Sequence, residues 1–168
     1  PVTDRRVFAR LRDREILGSV VEAIDGFLEG KAADFRKWDR EARQPEEYIQ
    51  GLRDMGLFGI IIPEEHGGLE LSNGAYARVL TQTSSHDAST SLTIGAHSSI
   101  GMKGILLSGN DEQKARYLPS LASGEMIAAF CLTESGAGSD AASIRTTAKK
   151  NEDGSWTLNG EKIWITNG

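Results

Sequence analysis

The amino-acid pattern changes character at Gly124, and that change constrains the fold more than any other feature. Before it, apolar residues recur at helical spacing. Ile16, Leu17, Val20, Val21, Ile24, Phe27 and Leu28 make one stripe, which Phe35 and Trp38 extend. Pro45 is placed as the first helical residue of a segment carrying Tyr48, Ile49, Leu52 and Met55, and Gly56 is placed to cap it. Leu57–Ile62 is a short apolar run closed by Pro63, with Gly67-Gly68 continuing a loop. Ser72 caps a helix bearing Tyr76, Val79, Leu80 and Thr83. A further run through Leu92, Ile94, Ile100, Ile105 and Leu106 contains Gly95, Ala96, Gly101 and Gly104, which reads as a packed interior helix. Asn110 with Gln113 resembles a capping box for a helix through Tyr117, ended by Pro119.

Beyond Gly124, turn chemistry takes over. Met126–Leu132 is a short apolar run of strand-like length, and Arg145–Lys149 reads as a polar, half-exposed strand. Asp153-Gly154 and Asn159-Gly160 are hairpin signals flanking a strand at Trp156–Leu158 and leading to another at Lys162–Thr166. The expected fold is therefore α+β. An all-α helical domain occupies 1–123, and the start of an antiparallel β-domain, read as a meander, occupies 124–168. Asn167-Gly168 is a third turn dipeptide with no strand after it, so the chain is expected to be a truncated N-terminal piece of a longer one.

Composition excludes several classes. Nineteen Lys+Arg against 24 Asp+Glu give a net charge of −5, which argues against a nucleic-acid partner. The basic cluster Arg5, Arg6, Arg10, Arg12 and Arg14 is interrupted by Asp4, Asp13 and Glu15 and reads as a solvated helix face. With one cysteine no intrachain disulfide forms. Cys131 sits in the apolar run Ile127–Leu132, where a buried, inert thiol is expected. No run of ~18 apolar residues predicts a transmembrane helix, and no signal peptide is visible. His66, His86 and His97 lack metal-ligand spacing, and Glu64-Glu65 reads as a solvated pair.

Two segments carry candidate chemistry. In Thr133–Asp140, Gly136 and Gly138 permit positive φ and close approach of a ligand. Successive amides there can cradle a pyrophosphate, and Thr133 and Ser139 add hydroxyls. In the second segment, strand alternation puts Trp164 and Thr166 on one face and Ile163 and Ile165 on the other. That face offers a flat wall for a planar ring and a hydroxyl for its heteroatoms. Gly136-Ala-Gly138-Ser-Asp-Ala141 matches a dinucleotide fingerprint, but that motif needs a following helix in a parallel β-α-β unit, and strands are expected here.

The chain resembles the acyl-CoA dehydrogenases. The matching segments are Gly59-Ile-Ile-Ile-Pro-Glu-Glu-His-Gly-Gly68, Gln113-Lys-Ala-Arg-Tyr-Leu-Pro119, Leu121-Ala-Ser-Gly-Glu125, Leu132–Asp140 and Trp164–Gly168, in family order. Ala96-His-Ser-Ser-Ile-Gly-Met-Lys-Gly104 and Ala128-Ala-Phe-Cys-Leu-Thr133 look like the very-long-chain branch. Ser135 departs from the family, which commonly has proline there and a stiffer loop.

The resemblance implies an FAD-dependent flavoprotein that α,β-dehydrogenates acyl-CoA thioesters in fatty-acid β-oxidation. It places Phe130, Cys131, Leu132 and Thr133 along the flavin and Gly138 and Ser139 near the FAD phosphates. Ser139 also touches the acyl-CoA, and Trp164, Ile165 and Thr166 lie beside the isoalloxazine. It puts the catalytic glutamate in a C-terminal domain absent from these residues, so none of them is assigned as the base and the chain alone is expected to be inactive. It implies electron-transferring flavoprotein as acceptor, a homo-oligomer, and a location in bacterial cytoplasm or the mitochondrial matrix. Alternatives are an acyl-CoA oxidase or a non-catalytic partner subunit.

Overall fold

The computed structural model describes residues 5–168, with side chains from Arg12 onward; Asp4 and the side chains of Arg5, Arg6 and Arg10 in the basic cluster lie outside the described residues. Helix α1 (Arg5–Leu28) buries Val20, Ile24 and Leu28, the inner edge of the first stripe. It packs on α4 (Asn73–His86), whose Ala75, Val79 and Thr83 face inward. Asp25 fastens the pair, accepting from Gln82 Nε2 at 2.6 Å and meeting His86 Nε2 at 2.6 Å. Ser72 caps α4 as its hydroxyl accepts from the Ala75 amide at 3.3 Å.

Helix α2 (Ala32–Arg40) lays Phe35 and Trp38 against Tyr48 of α3 (Glu46–Asp54), with centroids 6.0 and 4.7 Å from the Tyr48 ring. Pro45 stands one residue earlier than expected, as the N-cap. Gly56 follows the C-cap Met55 with φ +70°. Its amide donates to Arg53 O and that of Leu57 to Leu52 O, the paired bonds that close a helix through a left-handed residue. Leu52 and Leu57 are both fully buried.

The run Leu57–Ile62 threads the centre as successive turns. Amides of Leu69, Glu70 and Leu71 return to bond Gly59, Ile62 and Ile60 carbonyls at 2.8–2.9 Å. These bonds satisfy backbone groups that burial would otherwise leave unpaired.

The run through Leu92 and Leu106 is broken, contrary to expectation. Helix α5 (Ala88–Ala96) passes into a π turn at His97–Gly101, then α6 (Lys103–Ser108) begins. Its glycines weaken the α ladder, and the wider turn brings His97 and Ser98 inside. Leu92, Ile100 and Leu107 stay exposed, so this is no all-round interior helix. Helix α7 (Asp111–Ala122) opens on the Asn110/Gln113 capping box but continues through Pro119. The proline ring removes one amide near the helix end, while Leu118, Leu121 and Ala122 beyond and before it remain buried.

The chain is α+β as expected, but the meander is reduced to one hairpin among the described residues. Strands β1 (Thr147–Lys150) and β2 (Trp156–Asn159) pair antiparallel across the Asp153-Gly154 turn. β1 starts at Thr147 because the Arg145 and Thr146 amides bond the Glu134 carboxylate instead of a ladder. Met126–Leu132 is irregular rather than a strand, since no neighbouring segment supplies a ladder among the described residues. Lys162–Thr166 is not a strand either, and no hairpin forms at Asn159-Gly160. Trp164 and Asn167 turn the backbone with φ +58° and +65°, values outside any strand. After Gly138 comes only a 3₁₀ turn, Ala141–Ser143, then an antiparallel strand, which rules out the dinucleotide unit.

Candidate functional site

The two candidate segments lie against each other. The Ile163 amide donates to Thr133 O at 3.0 Å, and Lys162 Nζ donates to Leu132 O at 2.9 Å. Lys162 also pairs with Glu134 Oε1 at 2.9 Å. The Glu134 carboxylate, nearly buried, accepts from the Arg145 and Thr146 amides at 2.8 and 2.9 Å and from the Thr146 hydroxyl. Those bonds, the Thr146 hydroxyl's first, hold its carboxyl down at about 2. Glu134 and Ala137 exchange backbone bonds at 2.9 and 3.2 Å, which closes the Ser135-Gly136 turn. Asn167 Nδ2 then donates to Thr93 O at 3.0 Å and ties the end of the second segment to α5.

The two segments leave several of the candidate residues open to solvent. Trp164 is 87% exposed and Phe130 49%. Gly138, Ser139 and Thr166 are exposed, while Leu132, Thr133 and Ile165 are half-buried. The hydroxyls of Thr133, Ser139 and Thr166 make no hydrogen bond among the described residues. Exposure still alternates from Ile163 to Thr166 as expected, although the backbone there is a turn. One expectation fails. Cys131 is exposed, because the irregular backbone of Met126–Leu132 does not enter the core. Gly136 and Gly138, which permit a positive φ, do not use it, and the Glu134–Ala137 bridge closes its turn without one. Their value is space: a Cβ at either would meet nothing within 4 Å.

Residues 17–125 match the family described as "Acyl-CoA dehydrogenase, N-terminal domain", and residues 129–168 match "Acyl-CoA dehydrogenase, middle domain". The chain belongs to the acyl-CoA dehydrogenase family. It is 50% identical over 155 residues to the mitochondrial very long-chain specific acyl-CoA dehydrogenase of Macaca fascicularis, covering 92% of this chain and 24% of that relative. It thus spans about a quarter of the length of that relative. An acyl-CoA dehydrogenase from Bacillus anthracis, solved complexed with FAD, superposes with a TM-score of 0.77 at 37% identity, over 92% of this chain and 26% of that one. A chain in the structure of the electron transferring flavoprotein of Acidaminococcus fermentans superposes with a TM-score of 0.84 at 34% identity, over 92% and 40%.

For an acyl-CoA dehydrogenase, the residues present fit a flavin. A flat exposed indole, an exposed phenyl ring and three hydroxyls unpaired among the described residues are side chains of the kind that suit a planar ring with polar edges. The clefts found against the helices lie elsewhere; the one of about 380 Å³ is lined by Phe35, Trp38, Arg43 and Asp87, among others. Among the described residues no group of three His, Cys, Asp or Glu is arranged to hold a metal. The contacts of Glu134 and Lys162 were not legible in the sequence. Glu134 and Lys162 are 28 apart along the chain, and no periodicity links them.

Proposed function

We propose that these residues are the flavin-facing part of an FAD-dependent acyl-CoA dehydrogenase that α,β-dehydrogenates acyl-CoA thioesters in fatty-acid β-oxidation. The observation that carries this reading is the joining of Thr133 to Ile163, which sets Phe130–Thr133 beside the exposed Trp164. The helical domain is 1–123, and the β-domain starts at 124. Phe130, Cys131, Leu132 and Thr133 line the flavin, and the Thr133 hydroxyl donates to it. Gly138 and Ser139 receive the phosphates through backbone approach and a hydroxyl, and Ser139 also meets the acyl-CoA. Trp164, Ile165 and Thr166 hold the isoalloxazine in place and exclude water from it. When bound, FAD supplies the acceptor for the substrate β-hydride.

Similarity to the mitochondrial very long-chain enzyme supports the very-long-chain branch and, for a eukaryotic protein, the mitochondrial matrix; a bacterial protein of this kind would work in the cytoplasm. Among the described residues no helix is long and apolar enough to cross a membrane. Likeness to a chain in an electron transferring flavoprotein structure supports that flavoprotein as the electron acceptor. A homo-oligomer completes the reading.

The test compares Trp164→Ala with Trp156→Ala in the full-length gene product. Both indoles are exposed, at 87% and 61%, so neither truncation opens a core cavity. Loss of stacking at Trp164 should weaken FAD by about 1 kcal/mol, roughly fivefold in Kd, with Trp156→Ala near unaltered. Equal effects, or a colourless product that FAD cannot reconstitute, would refute the assignment.

A further inference from the structure

His97 has no exposed surface, yet both its ring nitrogens are committed. The Ala128 amide can only donate, so Nδ1, 3.0 Å away, accepts. The proton therefore sits on Nε2, which donates to Phe58 O at 3.1 Å. Burial pushes the imidazole pKa down and keeps this neutral form. Phe58 also packs edge-on against the ring, with centroids 5.2 Å apart and planes at 84°.

Four residues along the same π turn, Gly101 presses on the same point. A Cβ there would lie 2.7 Å from Ala128 Cβ and 2.9 Å from its carbonyl carbon and oxygen. Ala128 lies in the irregular segment Met126–Leu132, which has few bonds of its own: the Leu132 amide reaches only Phe130 O. A segment without a ladder takes its position from such outside contacts.

We propose that His97 and Gly101 are positioning residues for the flavin-facing segment, clamping Ala128 from the π turn and so fixing how far Phe130–Thr133 reaches toward the isoalloxazine. This rests on the function proposed above. It also accounts for the broken helix. A continuous α ladder would not supply this turn, and π turns recur at functional sites.

Two substitutions separate the ring nitrogens. In His97→Asn the amide oxygen stands where Nδ1 stood and can accept from Ala128. In His97→Gln the amide nitrogen stands where Nε2 stood and can donate to Phe58. Gly101→Ala disturbs Ala128 with His97 intact. Hydrogen exchange of residues 127–133 and the FAD Kd are measured in the full-length gene product.

The Gln and Gly101→Ala variants should exchange about tenfold faster in this segment and bind FAD about tenfold more weakly, while Asn stays close to the parent. A role in stability alone would lower the melting temperature without ranking Asn above Gln. Equal exchange in Asn and Gln overturns the clamp. Faster exchange with unchanged FAD affinity overturns its link to the flavin. A parent protein that takes up no FAD overturns the proposed function instead, while the exchange comparison still decides the clamp.

Discussion

Gly56 and Gly124 each follow the C-cap of a helix, with φ of +70° and +74°. Replacing each by alanine therefore imposes the same backbone penalty, about 1–2 kcal/mol for an L-residue in the left-handed region. Their surroundings differ. A Cβ at position 56 would meet Leu69 at 3.6 Å, an ordinary contact. At position 124 it would lie 2.5 Å from Phe58 Cδ2 and 2.9 Å from Arg53 Cγ. Phe58 is fully buried and cannot swing aside, and Arg53 Nε is held by Gly124 O at 2.9 Å. Overpacking of this kind costs about 1–3 kcal/mol more. Urea unfolding followed by the helical circular dichroism signal should thus show Gly56→Ala losing about 1–2 kcal/mol and Gly124→Ala about 2–5. Repeating Gly124→Ala in a Phe58→Leu background should recover part of the excess, because the clash is with the ring. Equal losses at the two positions would refute the packing account of the helix-to-β boundary.

Two titrations test the polar contacts. Glu134 is lowered from 4.5 to about 2, so its contribution to stability is present above about 4.5 and disappears as pH falls toward 2. The amide shifts of Arg145 and Thr146 should follow that low midpoint and lose it in Glu134→Gln; a midpoint near 4.5 would contradict the geometry. Burial pushes the Tyr48 phenol up to about 12 against the opposing bond to Thr90. Its contribution holds below about 10 and is lost as pH rises through 12, so an ultraviolet titration should show a phenol ionising near 12 that Tyr48→Phe removes. Residues 1–168 expressed alone should give no acyl-CoA-dependent flavin bleaching with an artificial acceptor, since no residue here is assigned as the base; sustained turnover would overturn that.

Local signals determined much of this protein. Ser72, the Asn110/Gln113 box and Gly56 act within a few residues of themselves, so their caps stand where side-chain chemistry puts them. The stripe of α1 reports its buried edge because helical periodicity is a property of the chain alone. The hairpin at Asp153-Gly154 is equally local. The tertiary structure decided the rest. Met126–Leu132 and Lys162–Thr166 have strand-like composition, but a strand exists only through a partner's hydrogen bonds, and composition names no partner. Cys131 shows the same limit, since an apolar neighbourhood in sequence did not become burial in space. The joining of Thr133 to Ile163, the Glu134–Lys162 pair and the grip of His97 on Ala128 all link distant residues. No period in the sequence encodes such contacts; they appear only when packing brings the groups within hydrogen-bond reach.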